Sequence, residues 1–347
     1  MLTDLLRELD AFDSVVEPEQ ATRDEIISIH AEAFVRRVEA ASTGQVYPDS
    51  LQYGLGTSDV PVFRGMHDAT RWVVGGTLSA ARLISSGQTH RALHLAGGLH
   101  HAHRNFASGF CVYNDVAVAI GHLLQAGYER IAYLDIDAHH GDGVQALFYE
   151  DPCVLTISLH ESGQYLFPGT GFPDEVGAGL GLGTALNLPL MPSTGHKSYL
   201  QIFDACVPTV LKHFAPQVMV VECGADAHSR DPLAHLQLTS HTFAELFLRI
   251  LELADDCVDG SILMHLGGGY DLDVTSRVWA ILALMVQGMS LPEQVPRAWH
   301  SRWERRLRRS LQARLHEVIS SPEATARLHD KNHRMAMQAL ENLFAYR

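Results

Sequence analysis

Four short stretches of this sequence carry residues that could do chemistry: GGLHHAH around His100 and His101, DIDAHHGDG at 135–143, GADAH around Asp226, and GGGYD around Tyr270. In DIDAH, residues 135, 137 and 139 have the two-residue period of an extended chain, so their side chains project to one side. Asp137 and His139 can therefore grip one ion together, and Asp226, from another stretch, completes a set of two carboxylates and one imidazole. Three protein ligands with a position left open is the pattern of a catalytic Zn²⁺ site rather than a structural one. So oxygen-rich a set would also accept Fe²⁺.

Such an ion needs a proton carrier beside it. His100 and His101 are adjacent, and Asp135 and Asp142 remain as partners for them, giving two His–Asp pairs. A carboxylate on one imidazole nitrogen fixes the tautomer and raises the basicity of the other. Tyr270 follows three glycines, which let its loop approach a substrate closely, and its hydroxyl could stabilise an oxyanion. Metal, base and oxyanion donor together describe metal-assisted hydrolysis of an acyl bond. Any one of these pieces alone reads as ordinary in a chain with 21 histidines. Their joint fall at strand ends does not. His67, His94, His122, His213 and His316 read as surface or satisfied core histidines.

The elements that must position these residues are legible as short apolar runs: RALHLA (91–96), RIAYLDID (130–137), CVLTISL (153–159), ALNLPL (185–190), QVMVVEC (217–223) and SILMHL (261–266). Helical periodicity lies between several of them, at about 113–126, 197–214, 240–257 and 272–289. Continuous apolar strands alternating with helices predict an α/β fold, a mostly parallel sheet with helices on both faces. Ligands of such sheets sit beyond the carboxyl ends of the strands, where the four stretches fall. Leu2, Leu5, Leu6 and Leu9 open the chain in an amphipathic helix. A second helix is expected from a capping box at Thr22 and Glu25 through Val38. The turn-rich segment 46–63 is too long for an ordinary connector and reads as a functional loop.

A length of 347 residues allows two domains without requiring them. The net charge of −14 argues against a nucleic-acid binder. Five cysteines, odd in number and widely spaced, encode neither a disulfide framework nor a zinc ribbon. The acidic N-terminal stretch and the lack of an 18-residue apolar run point to a cytoplasmic protein without a membrane segment. From Arg297 to Arg314 seven arginines and one glutamate give +6, leaving −20 on the remainder. This stretch reads as a solvated helix face.

With HHA, DIDAHHGDG, SLHESGQYLFPGTG (158–171), GADAHSRDPL (224–233) and GGGYD in this order, the sequence resembles the histone deacetylase family, and within it the bacterial acetoin utilization branch. The similarity runs over about residues 25–290, and a basic helical part follows at about 297–347. It implies one arginase/deacetylase-like domain over 1–347 that binds Zn²⁺ and removes acetyl groups from lysine side chains of proteins or peptides. By position, it implies Asp137, His139 and Asp226 as zinc ligands, with His100 and His101 as catalytic histidines backed by Asp135 and Asp142 respectively. The second histidine serves as general base and then acid, the first is chiefly electrostatic, and Tyr270 polarises the acetyl carbonyl. Gly109, Phe110, Phe167 and Leu233 would line the acetyl-lysine tunnel, and Asp59 would hold the substrate backbone at its rim. The family's monovalent cation, K⁺ or Na⁺, would fall to Asp135, Asp137, His139, Ser158 and Leu159, mainly through main-chain oxygens. In bacteria the branch is associated with acetyl-CoA synthetase as the acetylated partner.

The sequence departs from the family pattern in three places. The usual strand and HP-containing segment have no counterpart ahead of the first helix, Leu266 replaces the first of four glycines before the tyrosine, and Leu99 stands where many members have Trp. Three other functions compete. An acetylpolyamine hydrolase would carry a long insert at its entrance, which is not evident. A two-manganese ureohydrolase would need an aspartate at Gly141. A noncatalytic acetyl-lysine reader would have lost a ligand or Tyr270, and none is lost.

Overall fold

The computed structural model describes residues 1–12, 14–317 and 325–346. Its centre is one six-stranded sheet, built from β1 (Arg91–His94), β2 (Ile131–Asp135), β3 (Val154–Glu161), β4 (Ala185–Leu190), β5 (Val218–Cys223) and β6 (Ile262–Leu266). The strand order is β1-β6-β5-β2-β3-β4, with every pairing parallel. All six strands fall on the six expected apolar runs.

Successive residues of each strand serve opposite faces, which is why the runs are apolar without interruption. Leu134, Ile157, Val221 and Met264 join the larger core with α1 (Leu2–Glu8), α7 (His196–Phe214), α8 (Ser240–Val258), α9 (Leu272–Val286), α10 (Arg297–Leu307) and α11 (Ala326–Phe344). Tyr133, Val220 and Leu263 join the second core with α2 (Arg23–Ile27), α3 (Glu32–Ala41), α4 (Met66–Ser85), α5 (Asp115–Gln125) and α6 (Asp142–Phe148). The helices expected at 113–126, 197–214, 240–257 and 272–289 are α5, α7, α8 and α9.

Two expectations need correction, and one helix had no expectation at all. The helix expected from Thr22 to Val38 is two helices. The capping box of Thr22 and Glu25 is present, but the chain breaks at 28–31, where Ala31 N–H donates to Arg104 O (2.8 Å) and the buried His30 ring contacts His103 O and accepts from Asn114 N–H, each at 2.9 Å. Tertiary bonds to one loop outweigh helix continuity. The twenty-residue α4 was not anticipated at all. Its Gly75–Gly76 pair weakens the helical signal, yet a Cβ at Gly75 would lie 1.8 Å from Glu19 O and one at Gly76 2.2 Å from the His94 ring. Close packing, not flexibility, requires those glycines. The run 297–314 is not simply a solvated face: Trp299 is fully buried, Arg302 pairs with Asp4 and Glu8, Arg309 with Asp271, and Arg314 with Glu293. Of the basic part expected at 297–347, residues 318–324 and 347 lie outside the described residues. Among the described residues, no helix is long and apolar enough to cross a membrane.

Candidate active site

The carboxyl ends of the strands converge as a polar layer. His94, His265, Glu222, Asp135, Ser158 and Asn187 occupy one register row across all six strands, on the face covered by α4, α5 and α6. Beyond this row the chain leaves the sheet and delivers the expected residues. Asp137 and His139 follow β2, Asp226 follows β5, His100 and His101 follow β1, and Tyr270 follows β6.

Asp137, His139 and Asp226 each offer a donor atom within 4.8 Å of the others, the only such group among the described residues. The His139 Nδ1 lies 3.1 Å from Asp137 Oδ1 and 2.9 Å from Asp226 Oδ2. Backbone groups hold the carboxylates in place: Asp137 accepts from the N–H of His139 (2.9 Å) and of Gly268 (2.8 Å), and Asp226 from that of Ala138 (2.8 Å). Burial opposes charge on His139, yet its contacts with the two carboxylates outweigh burial and push its pKa up to about 11. Burial and the neighbouring Asp137 raise the Asp226 carboxyl, to about 7. Two buried acids that hold an imidazole proton so tightly form a well for positive charge, and the donor set of two oxygens and one nitrogen suits a divalent metal.

The histidine pair is resolved into unlike partners. The His100 Nδ1 lies 2.8 Å from Asp135 Oδ2, and the His101 Nδ1 lies 2.6 Å from Asp142 Oδ1. The Nε2 atoms are 3.0 Å apart. Burial works against charge on His100, but Asp135 and Asp137 prevail and its pKa rises to about 9. Burial and the charge on His100 pull His101 down to about 4, against the opposing pull of Asp142. One imidazole is held protonated and its neighbour neutral, the state a proton acceptor needs.

Asp59, His101, Gly109, Phe110, His139, Leu166, Phe167, Leu233 and Tyr270 line one cavity of about 220 Å³. Every rim and tunnel residue named from the sequence is among them. The Phe167 ring lies 5.0 Å from that of His101, and the Phe110 ring 5.9 Å from that of Tyr270. Phe110 has a left-handed backbone (φ 68°), rare for a bulky side chain. A Cβ on the preceding Gly109 would meet the His101 ring at 2.4 Å. Burial, together with Asp137 and Asp226, raises the Tyr270 hydroxyl far above its usual range, so it stays a donor. Ser158 sits beside Asp135 in register, with its Oγ 2.9 Å from His160 Nδ1, and Leu159 follows it, fully buried.

Sequence reasoning missed the supports of these groups. The Tyr133 hydroxyl donates to Asp135 (2.6 Å), Asp115 accepts from Leu99 N–H (2.8 Å), and Asp231 accepts from Tyr270 N–H (2.8 Å). Asn114 caps α5 and donates to His100 O (3.2 Å) and Ala102 O (3.0 Å). A polar residue directly before an apolar helical run was a signal for Asn114. Glu222 and His265 are fully buried, and neither carboxylate oxygen of Glu222 has a hydrogen-bond partner; nothing in their apolar runs flagged them.

A parallel α/β sheet whose strand ends hold a two-carboxylate, one-imidazole metal well beside an unlike histidine pair defines a metal-dependent amidohydrolase. A model of the histone deacetylase domain matches residues 1–286. The chain belongs to the histone deacetylase family and is a deacetylase hydrolase. It is 42% identical over 306 residues to the acetoin utilization protein AcuC of Bacillus subtilis (strain 168), covering 87% of this chain and 79% of that one. To AcuC of Staphylococcus aureus (strain MRSA252) it is 37% identical over 332 residues, 94% of this chain and 85% of the relative. The crystal structure of a histone deacetylase homolog from Aquifex aeolicus superposes with a TM-score of 0.85 at 28% identity, covering 96% of this chain and 92% of that one. A structure of a histone deacetylase homolog complexed with SAHA gives the same TM-score, identity and coverage.

Proposed function

We propose that the protein hydrolyses the acetyl amide of Nε-acetyl-lysine in proteins or peptides, releasing acetate and lysine, with Zn²⁺ held by Asp137, His139 and Asp226. The observation that carries this reading is the cavity: an apolar passage walled by Phe110, Phe167 and Leu233 that ends at His101 and His139. An acetylated lysine is a neutral, flexible stem with its amide at the tip. Its methylenes are stabilised between phenyl rings, while the ammonium of the released lysine favours water.

An ion held by Asp137, His139 and Asp226 would supply Lewis acidity to the amide carbonyl and to a water molecule. His101, neutral and hydrogen-bonded to Asp142, takes the water's proton and later delivers it to the leaving amine. His100, kept charged against Asp135, stabilises the negative charge that develops beside it. Tyr270 donates its O–H to the carbonyl oxygen as that charge builds. Asp59, exposed at the rim, accepts from the peptide backbone on either side of the acetyl-lysine. Main-chain oxygens around Asp135, Asp137, His139, Ser158 and Leu159 take a K⁺ or Na⁺ beneath the site, and the acetylated partner is a protein such as an acetyl-CoA synthetase.

Acetylpolyamine hydrolysis is the alternative to test against, since Asp59 would also attract a cationic amine. Zinc-loaded full-length protein is given an acetyl-lysine peptide and N-acetylspermidine, and acetate is measured. The expected result is a kcat/KM at least about 10-fold higher for the peptide, the value of seating one more apolar contact and backbone pair. A preference for the polyamine would overturn the lysine assignment.

A further inference from the structure

The Tyr270 hydroxyl has to meet one carbonyl oxygen, yet its own surroundings hold it loosely. Three glycines precede it, Gly269 with φ 149°, and the ring is 37% exposed with Phe110 as its aromatic neighbour. The loop is tied on the near side by Gly268, whose N–H donates to Asp137 and whose O accepts from Ala225 N–H (2.6 Å), and at Tyr270 N–H by Asp231. The far side depends on Asp271. Its carboxylate caps α9, accepting from Asp273 N–H (3.0 Å) and Val274 N–H (3.2 Å). Two guanidiniums bracket it: Arg230 donates to Oδ2 (2.8 Å) and Arg309 to Oδ1 (3.0 Å).

These two arginines come from different places. Arg230 belongs to the loop after Asp226 and also reaches Asp273 (3.3 Å). Arg309 lies beyond the residues that the family model matches. It follows Arg308, whose left-handed backbone (φ 53°) turns the chain at the end of α10. The same returning segment docks onto α9 through Gln312 N–H to Asp273 (3.4 Å) and through Leu315 O and Glu317, which both accept from the buried Arg277 (2.8 and 2.9 Å). The Asp271 side chain is only 11% exposed, while the two guanidiniums that bracket it reach solvent, so the contact restrains the loop by geometry more than by buried charge.

We propose that Arg309 and Arg230 are positioning residues for Tyr270: by bracketing Asp271, the C-terminal basic segment fixes the far end of the glycine loop and so the placement of the phenol hydroxyl. The inference rests on the oxyanion role proposed for Tyr270. A displacement of about 1 Å in a catalytic group can cost on the order of 100-fold in rate, so losing one of two guanidiniums is expected to cost less, about 10-fold.

A double-mutant cycle tests it on zinc-loaded full-length enzyme with an acetyl-lysine peptide. Arg309→Ala should lower kcat about 10-fold with KM within about twofold, and Arg309→Lys should recover most of that loss. In a Tyr270→Phe background Arg309→Ala should change kcat by less than about twofold, because the hydroxyl it positions is gone. Equal losses in both backgrounds, or wild-type kcat in Arg309→Ala, would overturn the proposal. Should Arg309→Ala fail to fold, Arg230→Ala carries the same expectations. Near-normal kcat in Tyr270→Phe alone would instead remove the oxyanion role beneath it.

Discussion

The two ends of the cavity are built differently. At the inner end Asp137 and Asp226 are at most 1% exposed and His139 8%, and each carboxylate accepts from backbone N–H two to four residues beyond a strand. At the outer end Phe110 is 52% exposed, Phe167 43% and Leu233 41%, and all stand on loops, as does Asp59. The inner end has its charges and donors set before any substrate arrives, which is what electrostatic stabilisation of a developing charge requires. The outer end offers apolar surface with few fixed partners, which suits the binding of an apolar stem more than the placement of charge. Tyr270 joins the two: its loop is tied to Asp137 inside, while its ring lines the mouth.

This contrast can be broken by substitution at each level. At the inner end, His101→Ala should leave metal content unchanged and lower turnover by about 10³-fold, the scale of a lost general acid–base. Retained turnover, measured with a fluorogenic acetyl-lysine peptide, would remove the base assignment. At the junction, Tyr270→Phe should bind substrate normally and turn over about 100-fold more slowly, in keeping with one lost oxyanion donor. At the rim, Phe167→Ala should act mainly on KM, raising it about 10-fold through lost apolar contact while kcat changes little. A fall in kcat as large as that of His101→Ala would show that the ends are not separable.

The smallest effect concerns the anchor between them. Glu317 accepts from Arg277 and Ser240 and contacts His228, and although burial opposes its charge these partners hold its carboxyl well below the ordinary value of 4.5. A depressed carboxyl adds stability that is present above the unfolded pKa and is lost as pH falls below it. Glu317→Gln should therefore destabilise by about 3 kcal/mol at pH 7, as breaking a largely buried pair does, and by progressively less below about pH 4.5. Thermal unfolding of both proteins across that range checks the sign. A gap that stays constant with pH would exclude the charge as its source.

Much of this was legible beforehand, for a physical reason. Parallel strands buried on both faces leave uninterrupted apolar runs, and catalytic polar residues interrupt chemistry-free sequence where those runs end. ALNLPL is β4 to the residue, and the four polar stretches follow β1, β2, β5 and β6. The illegible parts depend on distant partners. The break at His30 is set by the loop at 103–104, and the glycines of α4 by Glu19 and His94. The contact of Arg309 with Asp271 spans 38 positions and leaves no local pattern. Glu222 and His265 were hidden because a buried polar residue inside an apolar run has no signature of its own until the register row is seen.

The central claim is that Asp137, His139 and Asp226 together hold the ion on which hydrolysis depends. The most direct measurement is the metal content of purified full-length protein and of Asp226→Ala, with acetyl-lysine hydrolysis followed on the same samples before and after chelation and zinc return. The account predicts one divalent ion per wild-type chain, activity that disappears on chelation and returns with zinc, and neither ion nor activity in the variant. Full hydrolysis by metal-free protein, or an ion retained without Asp226, would contradict it.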